Sequence, residues 1–331
     1  MEALCERLYR HPRLVGFFGV LLAVKLYFKL TTGRCHSRRR LDGLTAIVTG
    51  GNSGIGKETA RDLAQRGARV ILACRNLVKA EEAKADIIRT TGNSSVEVRP
   101  LDLSSLKSVR EFAEEIVTTE PSLHILVNNA GMPGNRGKRS ADGFDLCVQI
   151  NHLGHTLLTV LLLDLLKRSA PARVVFVSSM MHLMYARLDV NDLVHEKLVP
   201  YDHLVAYSNT KLCNILTSNH LAKILSGSGV TVNSLHPGAV LTDIWERLPS
   251  LPRALVKSVL RLFMKSTEEG AQTTIYLAVS EDVEAVTGKY FSDCKEVAPS
   301  AQARNADLAR VVFEKSCALV GVPVPGNPSR L

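Results

Sequence analysis

A chain of 331 residues that is 46% hydrophobic and 22% charged suits one large α/β domain with a real core, or at most two domains. Its net charge of +9 invites a nucleic-acid reading, but residues 1–40 hold nine Lys/Arg against two acids, an excess of +7 that leaves +2 for the rest and flanks an apolar run. Seven cysteines at 5, 35, 74, 147, 213, 294 and 317, with no C-x-x-C, argue against a disulfide framework and a zinc site and for a reducing compartment.

The apolar run, Leu14 to Leu30, is interrupted by Lys25 and Lys29. It is short for a span, which takes about 20 residues, but the lysines sit near one end and can snorkel to headgroups. The following "TTGRCHSRRR" has no small-x-small cleavage site, so an anchor is expected rather than a cleaved leader. Arg34, Arg38, Arg39 and Arg40 favour a body facing the cytosol, while Arg7, Arg10 and Arg13 pull the other way. With no repeat or Gly/Ser linker, residues 1–40 are expected to be anchor and basic flank, and 41–331 one domain.

From Leu44, "TAIVTG" reads as a strand, "KETARDLAQRG" as a helix closing on Gly67, and "ARVILACR" as a second buried strand. Gly50, Gly54 and Gly56 lie between the first strand and the helix. There they permit a tight turn and close approach of a pyrophosphate to the helix N-terminus. The second strand ends in Cys74 and Arg75 with no acid until Glu81, which favours the 2′-phosphate of NADP(H) over the free ribose of NAD(H). A third strand, "VEVRPLDLSS", ends at Asp102, placed to meet an adenine amino group. A fourth ends in Asn128-Asn129, a fifth in Ser178-Ser179, and a sixth in "LHPGAVLT" with Pro237 and Gly238. Strands alternating with helical stretches predict a doubly wound parallel sheet, a Rossmann-type α/β fold with ligands at the carboxyl ends of its strands.

Between the fifth and sixth strands, Tyr207 and Lys211 stand four apart in a helical pattern that runs to Gly227, so they share a face. A free phenol titrates near pH ~10, and a neighbouring ammonium is expected to lower that value.

"TGGNSGIG", "NNAG", "INHLGH", "VSS", "YSNTK" and "HPGAVLT", in this order over residues 42–295, together resemble the short-chain dehydrogenase/reductase family. "NSGIGKETA", "ACRN", "NHLGHTLLT", "EGAQTTIYLAVS" and "TGKYFSDC" resemble more narrowly its microsomal retinol dehydrogenase branch, whose members carry an N-terminal membrane segment. The resemblance implies that Tyr207 is the acid/base and that Lys211 lowers its pKa and holds the nicotinamide ribose. By the same resemblance, Ser179 binds the substrate oxygen and Asn151 positions a water in a proton relay. It implies further that Gly50, Asn52, Ser53, Gly54, Ile55, Gly56, Arg75, Asp102, Asn129, Tyr207, Lys211, Pro237, Gly238 and Thr242 contact NADP(H). Thr242 is equally well read as a helix N-cap.

Thr210 stands where the family more usually has serine, and keeps the hydroxyl. The long stretch between Ser179 and Tyr207 is expected to form part of a substrate pocket or its lid. Residues of about 242–266 are expected to cover the substrate. Within that stretch, Trp245 to Ser266 carries Leu255, Val256, Val259, Leu260 and Phe263 at helical spacing, as a core element, a greasy pocket wall or a second membrane contact. His152, His155, His182 and His236 have no metal spacing and read as structural; no metal is expected. Asn93-Ser94-Ser95 is an N-x-S site expected in an exposed loop, unmodified if the body faces the cytosol.

The expected function is NADP(H)-dependent interconversion of a lipophilic alcohol and its carbonyl compound, with retinol/retinal foremost. Steroids, lipid aldehydes and polyprenoid carbonyls are alternatives, and a non-catalytic nucleotide-binding scaffold is the reading from another class. Expected partners are a lipophilic small molecule and a membrane, that of the endoplasmic reticulum before a lipid droplet or mitochondrion. No nucleic acid is expected, and homo-oligomerisation is left open.

Overall fold

The computed structural model describes residues 31–134, 137–196, 201–240 and 264–326, with isolated positions between 19 and 29. The Leu14–Leu30 run as a span, Thr242, and all but the last three residues of the Trp245–Ser266 stretch lie outside the described residues.

Eight strands form one sheet in the order β3-β2-β1-β4-β5-β6-β7-β8. They are β1 (Thr45–Thr49), β2 (Arg69–Cys74), β3 (Val96–Pro100), β4 (Ile125–Asn128), β5 (Ala172–Val177), β6 (Val230–Leu235), β7 (Tyr290–Ser292) and β8 (Lys295–Glu296). The first seven run parallel, and β8 turns back antiparallel on β7. The order reverses beside β1, where β2 lies on one side and β4 on the other. A crevice opens at such a switch point.

The helices are α1 (Gly54–Gln65), α2 (Leu77–Thr91), α3 (Leu106–Thr119), α4 (Leu146–Arg168), α5 (Met181–Met184), α6 (His203–Ile224), α7 (Thr267–Val279) and α8 (Ala306–Leu319). Period-2 alternation sorts the strand side chains between the two faces. Ala46 and Val48 of β1 pack with Leu63 of α1, Ile87 of α2 and Ile275 of α7. Ile47 faces the other way, among Phe112 of α3, Leu158 of α4 and Leu221 of α6, with Phe313 of α8 closing that layer. Strands buried on both faces explain the near-continuous apolar runs of β1, β2 and β5. Among the described residues α4 is the helix long and apolar enough to cross a membrane, but 78% of its 18-residue apolar window is buried, so it is a core helix.

The flank at 34–40 is packed onto the body. Arg66 donates to the carbonyls of Ser37 and Arg39 at 2.9 and 3.1 Å, Arg39 pairs with Glu284 at 3.0 Å, and the Cys35 N–H donates to Gln272 at 3.1 Å. Residues 92–95 form the expected loop, with Gly92, Ser94 and Ser95 exposed, but Asn93 itself is half-buried. Its Nδ2 donates to the carbonyls of Ala64 and Ala68 at 2.8 and 2.9 Å, and its Oδ1 accepts from the Ser95 N–H at 2.8 Å.

Candidate active site

The glycine loop joins β1 to α1. Gly50 (φ +67°) and Gly54 (φ +55°) adopt left-handed backbone, which side chains disfavour. At Gly56 the requirement is closeness, since a Cβ there would lie 2.4 Å from the Gly50 carbonyl oxygen and 2.5 Å from Asn129 Nδ2. Ser53 is the N-cap of α1, yet its side chain caps no backbone N–H, so the first turn presents free donors to the loop. Ile55 is half-buried beside Gly270 of α7. Arg75, just past β2, is exposed and makes no ion pair with the described residues. Asp102 accepts from the N–H and hydroxyl of Ser104 at 2.9 and 2.6 Å through one oxygen, leaving the other available. Asn129 is a brace, its Nδ2 donating to the Thr49 carbonyl at 2.8 Å. Pro237 and Gly238 (φ +84°) follow β6 at the same sheet edge. This loop, an uncapped helix start and an unpaired guanidinium fit a phosphorylated dinucleotide.

Asn151 and Lys211 meet beside Gly131, Lys211 stands near the Tyr207 ring, and Tyr207 hydrogen-bonds with Ser179. A Cβ on Gly131 would lie 3.4 Å from both Asn151 Oδ1 and Lys211 Nζ. Lys211 is buried in α6, donates from Nζ to the Val177 carbonyl at 3.0 Å, and lies 5.6 Å from the Tyr207 ring centroid. Ser178 fixes the same turn by donating to the Lys211 carbonyl at 2.7 Å. Burial pulls the Lys211 ammonium down to about 8.

The phenol behaves contrary to the sequence-based expectation. Burial pushes Tyr207 up to about 12, opposed by a hydrogen bond with Ser179, and the ammonium does not reverse it. The physical reason is that Lys211, itself desolvated, directs its Nζ at a backbone carbonyl. Tyr207 therefore rests as a proton donor.

Asn151 is held from several sides. It sits in a π-helical turn, Gln149–Leu153, within α4, a distortion that frequently marks functional sites. Its Oδ1 accepts from the Met132 N–H at 2.8 Å, and its Nδ2 donates to the Met132 carbonyl at 2.9 Å and to Thr210 Oγ1 at 3.1 Å. The side chain thus brackets the loop after β4. Thr210 passes the constraint on, donating to the Tyr207 carbonyl at 2.7 Å.

His155 ties this bracket to the glycine loop. The Asn151 carbonyl 3.1 Å from Nδ1 can only accept, so Nδ1 carries the proton. Nε2 then accepts from the Thr49 hydroxyl at 2.9 Å, and Thr49 Oγ1 accepts from the N–H groups of Asn129 and Ala130 at 2.9 and 3.0 Å. Behind Ser179 runs a second chain. The Ser300 N–H donates to His182 Nε2 at 3.3 Å, so His182 Nδ1–H donates to the Ser179 carbonyl at 2.6 Å. His236 joins it through Tyr290 at 2.8 Å and Ser292 at 3.0 Å. Among the described residues no group of His, Cys, Asp and Glu could hold a metal ion. Thr49, Met132 and Thr210 are site residues that sequence reasoning missed as such.

At the mouth, α5 packs on α6 directly after Ser179 and exposes Met180, Leu183, Met184 and Tyr185, the middle two at 53% and 64%. Leu204, one turn before Tyr207, is exposed too. A 560 Å³ groove elsewhere, rimmed by Lys223, Glu296 and Arg304, includes none of Asn151, Ser179, Tyr207 and Lys211.

The sequence matches the short chain dehydrogenase family over residues 44–189. Together with the relatives below this shows that the chain belongs to the short-chain dehydrogenase family of oxidoreductases. It is 47% identical to retinol dehydrogenase 11 of Mus musculus over 93% of this chain and 96% of the relative. Against retinol dehydrogenase 12 of Mus musculus the identity is 47%, over 88% and 90%. Within the family it falls in the retinol dehydrogenase-like branch. Among solved structures, an uncharacterised protein of Mycobacterium paratuberculosis superposes with a TM-score of 0.71 at 32% identity, covering 89% of this chain and 100% of that one. The RhlG/NADP active-site complex of Pseudomonas aeruginosa gives 0.62 at 28%, covering 76% and 95%.

Proposed function

We propose that this protein is an NADP(H)-dependent oxidoreductase that interconverts a lipophilic alcohol and its aldehyde, with retinal reduced to retinol as the leading reaction. The observation that carries this reading is the apolar lip of Met180, Leu183, Met184, Tyr185 and Leu204 around Ser179 and Tyr207. Exposed apolar side chains grouped at a reactive centre suit a substrate that is apolar along its length and polar at one end.

When bound, the dinucleotide supplies the hydride. Ser179 and Tyr207 hold the carbonyl oxygen between two hydroxyls, and Tyr207 donates its proton as charge develops there. Lys211, 5.6 Å from the ring centroid, favours the resulting phenolate. Asn151, Thr210 and His155 fix the register of these groups by hydrogen bonds, so the reacting atoms meet without reorganisation. The retinol dehydrogenase relatives support the substrate class, and the unpaired Arg75 supports NADP(H).

The apolar run before residue 31 and the described cysteines, all free, support a body held at the endoplasmic reticulum membrane on the cytosolic side. The test is turnover of retinal, steroid ketones and medium-chain aldehydes by purified protein with NADPH and with NADH. Retinal is expected to give the highest kcat/KM, and no retinal reduction with either cofactor overturns the assignment. Arg75→Asp is expected to shift the ratio of kcat/KM values toward NADH by roughly 10-fold or more, as one charge-assisted contact is lost. An unmoved ratio removes Arg75 as the reader of the 2′-phosphate.

A further inference from the structure

The loop after β6 holds Pro237 and Gly238, for which the family resemblance implies contact with the dinucleotide, and one lysine packs over it. A Cβ on Gly238 would lie 2.9 Å from Lys265 Nζ, 3.0 Å from its Cε and 3.1 Å from its Cδ. The Lys265 N–H donates to the Ala239 carbonyl at 2.9 Å, and Lys265 pairs with Val240 as an isolated parallel bridge. Its backbone is fixed from the other side by the Ser266–Glu269 capping box that starts α7. The side chain is mostly buried, and Nζ lies 2.5 Å from Asp293 Oδ1.

Asp293 occupies an unusual turn. Asp293 (φ +50°) and Cys294 (φ +57°), the two residues between β7 and β8, are both left-handed without being glycine. That conformation suits a two-residue hairpin, but cysteine has no local reason to adopt it, so the surroundings must impose it. One support is the Cys294 N–H, which donates to Thr273 Oγ1 of α7 at 3.2 Å. The other is residue 33. Its N–H donates to the same Asp293 Oδ1 at 2.9 Å, and a Cβ on Gly33 would fall 2.0 Å from the Asp293 carbonyl oxygen. Here the chain arriving from the N-terminal segment crosses the turn backbone against backbone. Glycine is required for that closeness.

Residues 33–39 then continue over Gln272 of α7 to Arg66, which caps the far end of α1. In between, a Cβ on Gly270 would lie 2.6 Å from Val240 and 3.3 Å from Ile55. So α7 touches the β6 loop on one side and the glycine loop on the other. The strap meets both halves of the dinucleotide site through shared contacts.

We propose that Lys265 is a positioning residue for the β6 loop, that Asp293 latches it, and that docking of Gly33 on the same carboxylate couples the N-terminal strap to dinucleotide affinity. This rests on the proposed NADP(H) dependence and on the dinucleotide contact that the family resemblance implies for Pro237 and Gly238. The latch touches no reacting atom, so it acts on binding and leaves the chemical step alone.

The test measures NADPH affinity by its fluorescence enhancement in the full chain, alongside kcat at saturating NADPH. Lys265→Met keeps the stem and loses the charge, Asp293→Asn weakens the pairing, and Gly33→Ala pushes the strap off the turn. Each is expected to raise Kd about 10-fold, which corresponds to about 1.4 kcal/mol, with kcat within about two-fold. Lys265→Arg keeps the pairing and is expected to restore the wild-type Kd. Lys289→Met breaks the exposed Lys289–Glu296 pair of the same hairpin and is expected to leave Kd alone. Unchanged Kd in Lys265→Met and Asp293→Asn, or a fall in kcat at constant Kd, overturns the latch while the proposed function stands. A wild-type chain that binds neither NADPH nor NADH overturns both.

Discussion

Replacing Tyr207 by phenylalanine removes one oxygen from a site whose other members are held by independent hydrogen bonds. The variant is expected to lose about 10²–10⁴-fold or more in turnover, the worth of a positioned general acid, while binding NADPH within a few-fold. Single-turnover reduction and a fluorescence titration check the two halves, and near-normal turnover takes the phenol out of the mechanism. The pH dependence belongs to its neighbour. Tyr207, pushed up to about 12, stays protonated across the working range, whereas Lys211, pulled down to about 8, loses its charge there. Reductive kcat/KM is therefore expected to fall as pH rises through about 8. A profile flat to about pH 10, where free phenols and amines begin to titrate, would assign no such limb to Lys211. The residues proposed to carry the reaction stand out in the sequence because their types are chemically demanding and their spacing is local or tied to strand ends. The bonds made by Thr49, Thr210 and His155 do not. Threonine and histidine are permissive types, and their decisive bonds join residues 59 and 106 positions apart.

Helix α4 concentrates that hidden layer. Its π-helical turn sets Asn151 against Met132, and the two histidines beside it are buried without charge. Burial holds His152 at about 4 and His155 at about 3. Both lie below the value of about 6.5 in an unfolded chain, so as pH falls the unfolded state takes up protons first. The stability at stake is intact above pH about 6.5 and is lost progressively as pH drops toward the folded values. His152 also bridges Asn214 at 3.2 Å and Ser316 at 2.8 Å, joining α4 to α6 and α8. His152→Gln is expected to flatten the dependence of the urea midpoint between about pH 7 and about pH 5, even as it lowers the midpoint at neutral pH. An unchanged slope would place the acid sensitivity elsewhere. Strands β1 to β6 were readable from apolar runs bounded by glycines and polar ends. The short β7 and β8 were not, since three and two residues are too few to show a period of two.

At the scale of the whole molecule, the sheet and its two helical layers form one body, with the glycine loop and Ser179 just beyond the carboxyl ends of β1 and β5. Asn93 lies at the opposite end of the strands, before β3, and closes the corner between α1 and β2 through Ala64 and Ala68. Asn93→Asp, which cannot donate to both carbonyls, is expected to cost about 1–3 kcal/mol by urea unfolding. Ser95→Ala removes the sequon but leaves the backbone N–H that Asn93 accepts, and is expected to be nearly neutral. Equal losses in the two variants would show that the amide is not what closes the corner. The consequence reaches beyond stability. A sugar attached at Nδ2 leaves that nitrogen a single hydrogen and puts a bulky branch where two carbonyls now converge. Glycosylation at Asn93 therefore competes with closing this corner. A copy modified before it folded would carry the corner open, at a cost of the size expected for Asn93→Asp. Protease protection of sealed vesicles reads the side of the membrane without touching that corner.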